Sequence, residues 1–373
     1  MKKAFHAGQF FQAIGEDFST LEKSERVINA DVLDAWFNPS PKVLEKIKNY
    51  LPFVVRTSPP NYSEGLVETI SRFRGVPKQN ILTGGGSSDL IFTFFPKMLE
   101  KNDKVIILDP MYGEYQHILE NVIGTNVIRF KLEKQNGFQI NTNLLIEKIN
   151  TDMPKMVVLV NPNSPTGQYL PKEEVFKILK SISRSIFVVI DETYIEYVDK
   201  NNSLEKEVLN FENLVIIKSM SKVYALSGVR VGYIIANEKI VDKLGNFIPP
   251  WAVSLAGQVA GVEALKDEKY YQEKYQETHQ LRKEMTEELS KIKSIKIYPS
   301  VANFFLIELL DEKISAEEIV QRLRKQNIYI RNTDSMSSQF ENKFLRIAVK
   351  NERVNKIIVA ALRKILYFFE TIS

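Results

Sequence analysis

The stretch "NLVIIKSMSKVYALSGVRVGY" occupies residues 213–233. It opens on a run of β-branched and apolar residues, the pattern of a strand buried on both faces. The run ends in a serine-rich turn carrying Lys222, and Arg230 follows eight positions later. In an open parallel sheet, ligands bind outside the carboxyl ends of the strands. Lys222 therefore stands where a site would be, although taken alone it reads equally well as a solvated lysine.

The same arrangement recurs along the chain. "KMVVLV" (155–160) runs into "NPNSPTG" (161–167), and "SIFVVI" (185–190) runs into "DETY" (191–194). Singly, the aspartate reads as a helix cap and the proline-glycine loop as a turn. Together they place three polar motifs on one edge of one sheet. A fourth, "TGGGSSD" (83–89), lies between the strand "NILTG" and a helix expected over 87–99. Its glycines admit close approach of a ligand to the backbone, and the helix start favours a phosphate. It lacks the Gly-Lys-Ser/Thr ending of a Walker loop, and Asp89 stands at the last glycine of a G-x-G-x-x-G fingerprint.

Further strands are expected at "KVIILD" (104–109), "NVIRFKL" (126–132) and "VGYIIA" (231–236), with helices near 112–120 and from Pro171 onward. Fully apolar strands separated by helices predict an α/β fold with a mostly parallel sheet covered on both faces. After Pro250 a long helical stretch extends to about residue 292. Short strands "IKIYP", "NFFLIEL", "IYIRN" and "FLRIAV" then alternate with two helical patterns, which predicts a smaller α+β domain. The expected division is an N-terminal arm and part of the small domain over 1–45, a large domain over 46–265 and a small C-terminal domain over 266–373.

Composition narrows the chemistry. The chain has 373 residues, 44% hydrophobic and 26% charged, with a net charge of +4. That suits a soluble globular protein and gives no electrostatic case for nucleic acid or an acidic membrane surface. There is no cysteine, so disulfides and thiolate chemistry are excluded. The three histidines, His6, His117 and His279, lie at no metal-ligand spacing and read as ordinary surface or core residues. The N-terminal apolar stretch is broken by His6, Gly8, Gln9 and Gln12 and reads as no export signal. Arg363 and Lys364 interrupt the apolar C-terminus, which reads as an amphipathic helix rather than a span. The expected location is cytoplasmic.

A lysine, a strand-end aspartate, a phosphate cradle and a trailing arginine suit pyridoxal 5'-phosphate. The chain resembles the fold-type I aminotransferases of class I/II over nearly its whole length, and most of all their histidinol-phosphate aminotransferase and threonine-phosphate decarboxylase branch. The resemblance rests on Ser219, Lys222 and Arg230 together with "NPNSPTG" and "DETYIEY". It implies a large domain on a seven-stranded, mostly parallel sheet, a homodimer, and transfer of an amino group to a 2-oxo acid. Lys222 matches the lysine that bonds to the cofactor, Asp191 the partner of the pyridine nitrogen, and Tyr194 the tyrosine that hydrogen-bonds the phenolic oxygen. Tyr112, in "DPMYGEY", matches the aromatic stacked on the ring. Gly86, Ser87, Ser219, Ser221 and Arg230 match phosphate contacts, and Tyr62 a phosphate contact from the other subunit. Arg346, in "FLRIAV", matches the arginine that pairs with the substrate carboxylate, and Arg331, in "IYIRN", an arginine on a distal phosphate. Arg56 lies just before the Tyr62 segment and is a further candidate for that pocket.

The pattern is broken in two places. The family's asparagine before Pro-Thr-Gly is here Ser164, with Asn163 one position earlier, and either is a candidate for the phenolic oxygen. The N-terminal Asn-Glu-Asn-Pro motif reads "DAWF" (34–37), which puts Trp36 in the expected substrate pocket and argues against histidinol phosphate itself. The expected substrate is an amino acid or amine with a second anionic group, such as phosphate or phosphonate. The alternative is decarboxylation of an O-phospho amino acid. A hydrolase is disfavoured: Ser219 and Lys222 form S-x-x-K, but the S-D-N and K-T-G partners are missing.

Overall fold

The computed structural model describes residues 8–15 and 17–372, with His6 and the start of the N-terminal stretch outside that range. Twelve strands form two sheets. The larger contains β2 (Ile81–Gly84), β3 (Lys104–Asp109), β4 (Asn126–Lys131), β5 (Met156–Val160), β6 (Phe187–Asp191), β7 (Leu214–Ser219) and β8 (Gly232–Ile235), in the order β2-β8-β7-β6-β5-β3-β4. The apolar runs pair in parallel, and β8 alone runs antiparallel to its neighbours. Every residue of β5 and β7 is buried, as a strand covered on both faces must be.

The register sets the geometry of the functional edge. Val160 pairs with Asp191, and Asp191 with Ile217. Ser219 and Gly84 both pair with Gly232, at the start of the antiparallel strand between them. The carboxyl ends of β2, β7, β6 and β5 therefore lie side by side, and so do the four polar motifs that follow them.

The second sheet contains β1 (Ile28–Ala30), β9 (Ile295–Tyr298), β10 (Phe304–Leu309), β11 (Ile328–Asn332) and β12 (Phe344–Ala348), in the order β1-β11-β12-β10-β9. The N-terminal strand thus joins strands from the far end of the sequence, pairing in parallel with β11. Polar side chains tie this sheet to the first: Gln339 Nε2 donates to the Asp109 carbonyl and Arg346 Nη1 to Ser164 Oγ, each at 3.0 Å.

Two helical expectations need correction. The single long helix expected after Pro250 is two, Leu255–Lys266 and Glu268–Leu289, broken where Asp267 leaves helical geometry and pairs with Lys42 at 2.8 Å. The helix expected near 112–120 is one short α-helical turn, Gly113–Gln116, that widens into a π-helix over His117–Ile123. Periodicity does not reveal such a widening, because the side-chain pattern stays helical. No helix among the described residues is long and apolar enough to cross a membrane.

Candidate active site

A cavity of about 440 Å³ opens along the shared carboxyl edge, closed on its far side by Val32, Leu33 and the arginines of β11 and β12. Its walls bring together Ser87, Tyr112, Ser164, Asp191, Tyr194, Ser219, Ser221, Lys222, Arg230, Arg331 and Arg346, from points as distant as residues 87 and 346 in the chain.

Asp191 is buried and held from two sides. Its Oδ1 accepts from the Thr193 backbone N–H at 2.9 Å and the Thr193 hydroxyl at 2.6 Å, and its Oδ2 accepts from the Tyr115 hydroxyl at 2.8 Å. Burial pushes the carboxyl above its ordinary value, against these three hydrogen bonds. No basic side chain among the described residues pairs with it.

The backbone around Lys222 is fixed by three tyrosine hydroxyls. Tyr197 donates to the Lys222 carbonyl at 3.1 Å, Tyr275 to the Val223 carbonyl at 2.9 Å and Tyr271 to the Tyr224 carbonyl at 3.2 Å. The side chain is less confined: Nζ reaches Asp34 Oδ1 at 2.7 Å and Ser227 Oγ at 3.4 Å.

Ser87 starts the helix Ser87–Met98, whose apolar face of Leu90, Ile91, Phe94, Phe95 and Met98 is buried. Gly86 before it sits at φ +98, and a Cβ there would lie 2.7 Å from Arg230 Nη2. Only glycine accepts both that backbone angle and that approach. Asp89 Oδ2 closes the loop onto the Gly85 N–H at 2.8 Å, which explains an aspartate where a dinucleotide fingerprint would carry glycine. Arg230, itself at φ +55, is aimed by a hydrogen bond from Nη1 to the Ser227 carbonyl at 2.9 Å.

Arg331 and Arg346 pair directly across β11 and β12 and both are buried. Arg346 Nη1 donates to Ser164 Oγ and Nη2 to the Asp31 carbonyl, each at 3.0 Å, while no carboxylate among the described residues pairs with it. Asp31 Oδ1 lies 3.9 Å from Arg331 Nη1. Burial, with the charge of Arg346 next, brings Arg331 down to about 10, and burial likewise lowers Arg346. Two adjacent guanidinium groups in a cavity wall suit an oxyanion.

The sequence profile of the aminotransferase class I and II family matches residues 32–362. The chain belongs to this family. It is a pyridoxal 5'-phosphate-dependent transaminase. A histidinol-phosphate aminotransferase from Clostridium kluyveri is 30% identical over 351 residues, 93% of this chain and 95% of that one. The crystal structure of the histidinol-phosphate aminotransferase from Clostridium acetobutylicum superposes with a TM-score of 0.82 at 28% identity, covering 91% of this chain and 99% of that one. A decarboxylase from Sulfurospirillum multivorans, 24% identical, has the same fold, with a TM-score of 0.77 over 96% of this chain and 99% of that one.

The residues of this transaminase fit its cofactor. Asp191 is a buried carboxylate with hydrogen-bond donors but no cation, and the glycine at 86 keeps open a space bordered by Arg230 and the start of a helix.

Other sequence candidates lie elsewhere. Asn163 is turned away from the cavity: its Nδ2 donates to the Pro110 carbonyl at 3.0 Å and Thr166 Oγ1 at 3.1 Å, while Ser164 lines the wall. Trp36 packs on the helix Glu268–Leu289, its indole N–H donating to Thr278 Oγ1 at 2.8 Å with Lys274 over the ring. Its effect on the shape of the substrate pocket therefore loses its footing. Arg56 ends the helix Pro41–Arg56 on the surface, and Tyr62 is 58% exposed; neither lines the cavity of this chain.

Sequence reading passed over several wall residues. Asp34, at the head of the altered motif, meets the wall residue Lys222 at 2.7 Å, and His117, read as an ordinary histidine, faces the cavity beside Gln116 and Asn121. Glu114, which accepts from the Tyr112 hydroxyl at 2.6 Å and Ser88 Oγ at 2.9 Å, carried no signal of its own.

Proposed function

We propose that this transaminase takes its amino group from a donor bearing a phosphate or similar dianion, of the histidinol phosphate kind, and passes it to a 2-oxo acid. The observation that carries the reading is the Arg331–Arg346 pair, buried and adjacent in the cavity wall. A guanidinium fork binds planar or tetrahedral oxyanions through two N–H groups, which suits a phosphate in one half of the reaction and a carboxylate in the other. The names of the relatives point to the same class of donor.

The cofactor, when bound, supplies an electron sink for the carbon that carries the amino group. In this reading Lys222 holds the cofactor and moves the proton at that carbon, since its amine sits at the end of β7 on a backbone pinned by three tyrosines. Asp191 keeps the ring nitrogen protonated, and its hydrogen bonds to Thr193 and Tyr115 hold the carboxylate in place for that task. In the same reading Tyr194 and Ser164 would hold the phenolic oxygen and Tyr112 the ring, and Gly86, Ser87, Ser219, Ser221 and Arg230 would hold the cofactor phosphate.

Tyr62 and Arg56 act in a second copy of the chain. The helix Pro41–Arg56 exposes Leu44, Leu51, Phe53 and Val55, the last at 75%, and Trp251 is exposed on the segment whose backbone bonds to Asn61 beside Tyr62. Exposed apolar side chains on this helix suit an interface with a second copy, and in this reading both residues would reach the partner's cavity from it.

The test is an assay of purified protein with phosphorylated and unphosphorylated amino donors, scoring 2-oxo acid consumption against release of carbon dioxide. Transfer from the phosphorylated donor alone is expected. Carbon dioxide release from an O-phospho amino acid would replace transamination with decarboxylation, and equal rates on both donors would remove the dianion. Sedimentation of the holoenzyme is expected to show a dimer.

A further inference from the structure

We infer that Asp34 is the resting place of the Lys222 amine whenever that amine is not bonded to the cofactor, and that Lys350 takes over the Asp34 charge when the amine leaves. The inference rests on Lys222 being the cofactor lysine.

Three contacts define the arrangement. Lys222 Nζ donates to Asp34 Oδ1 at 2.7 Å. Ser227 Oγ donates to the same oxygen at 2.6 Å, so the acceptor is held from two directions. From the other side, Lys350 Nζ donates to the Asp34 main-chain carbonyl at 3.2 Å and lies within electrostatic reach of its carboxylate. The three residues come from the N-terminal segment, the turn after β7 and the end of β12, so the cluster exists only in the folded chain.

The charges make the exchange necessary. Two lysines share one carboxylate, whose charge also reaches the Tyr194 hydroxyl in the turn after β6. Burial raises the Asp34 carboxyl, but the Lys222 charge and hydrogen bond bring it below its ordinary value. Burial, Asp34 and the charge of Lys222, with Asp34 opposing the other two, set Lys350, which comes down to about 8. Once Lys222 turns into the cavity and bonds to an aldehyde, Asp34 keeps its charge but loses its shortest cationic contact. Lys350 loses the repulsion of Lys222 at the same moment and stays beside an ionised carboxylate. Asp34 and Lys350 are thus positioning residues. They act through Lys222 and set how readily its amine exchanges between two places.

The test uses cofactor-free protein and needs no substrate. Pyridoxal 5'-phosphate is added and covalent capture, in which the Lys222 nitrogen bonds to the aldehyde carbon with loss of water, is followed by absorbance. Pyridoxine 5'-phosphate, which has no aldehyde, reports the non-covalent site alone. Asp34→Asn should speed covalent capture by about fivefold or more, because no ion pair has to break, and leave pyridoxine phosphate affinity within about twofold. Lys350→Met should weaken covalent retention by about fivefold and have no such effect in the Asp34→Asn background. Thermal melts check that each variant is folded, and Asp34→Ala gives the same readout if the asparagine variant is not. Unchanged capture in Asp34→Asn, or a Lys350→Met effect of equal size in both backgrounds, overturns the inference. Covalent capture by Lys222→Ala would instead overturn the assignment of the cofactor lysine, which separates the two failures.

Discussion

Two clusters of buried charge lie on opposite sides of strands β6 and β7, and they are built from neighbouring residues. Asp191 faces the cavity while Glu192, one residue on, faces away. Ser219 lines the cavity while Lys218, one residue back, is buried with Glu192. The rear cluster closes on itself. Lys218 pairs with Glu196 at 2.8 Å, Arg74 pairs with Glu196 at 2.8 Å and with Glu205 at 3.7 Å, and Tyr233, Tyr224 and Ser203 add hydrogen bonds, with Arg74 Nε and Lys218 Nζ held by ion pairs alone and Glu196 Oε2 without a hydrogen-bond partner among the described residues. The front cluster does not close. Asp191 has no cation among the described residues, and Arg331 and Arg346 stand side by side in the cavity wall. Both clusters are buried and charged, so burial alone does not separate structure from function. What separates them is neutralisation: the closed cluster stabilises a fold, and the open one waits for a ligand.

The comparison predicts effects of different kinds on the two sides. Lys222→Ala should abolish turnover, by at least about a thousandfold, with the melting temperature little changed. Residual activity within about tenfold of the parent would return Lys222 to the surface lysines. Asp191→Asn should keep the cofactor, seen in its absorbance, and lose roughly a hundredfold or more in kcat, because a neutral amide does not hold the ring nitrogen protonated. Normal turnover would make Asp191 a helix cap. Arg331→Ala should lower kcat/KM at least about tenfold for a phosphorylated donor and much less for its dephosphorylated analogue. Equal losses would mean that the arginine supports structure.

The smallest effect belongs to the closed side and appears in stability. Burial brings Glu192 up to about 7, against the opposing charge of Lys218 and with the like charge of Glu205 adding to it. A carboxyl raised in the folded state holds a proton that the unfolded chain releases. Its contribution is fully present below about pH 4.5 and is lost as the pH rises through about 7. Glu192→Gln does not ionise, so the fall in melting temperature between pH 5 and pH 8 should shrink by roughly 1–3 °C, with kcat unaltered. An unchanged slope, or a large loss of kcat, would blur the division between the two clusters.

The open side was the legible one, for a physical reason. Each of its motifs follows a strand directly, and parallel strands carry their ends to one edge, so local sequence pointed to a distant meeting of Ser87, Ser164, Asp191 and Lys222. The large sheet and its mostly parallel character came through the same apolar runs. The closed side was silent because Arg74 and Glu196 are 122 positions apart, and Glu196, although it lies within "DETYIEY", carries no sign of its partner. Asp34 was hidden likewise, 188 positions from Lys222. Trp36 was misplaced toward the cavity because its motif fixes only the path of the backbone, and the indole N–H found its acceptor on Thr278. The break at Asp267 left no trace in the helical pattern on either side of it.

The central claim is that the open cluster is built around one reactive lysine among several buried or half-buried ones. The most direct measurement is to load the protein with pyridoxal 5'-phosphate, reduce it with borohydride, and locate the stable pyridoxyl group by peptide mass spectrometry. The group should be found on the peptide containing Lys222. Finding it chiefly on Lys350, on Lys218 or on surface lysines would contradict the account.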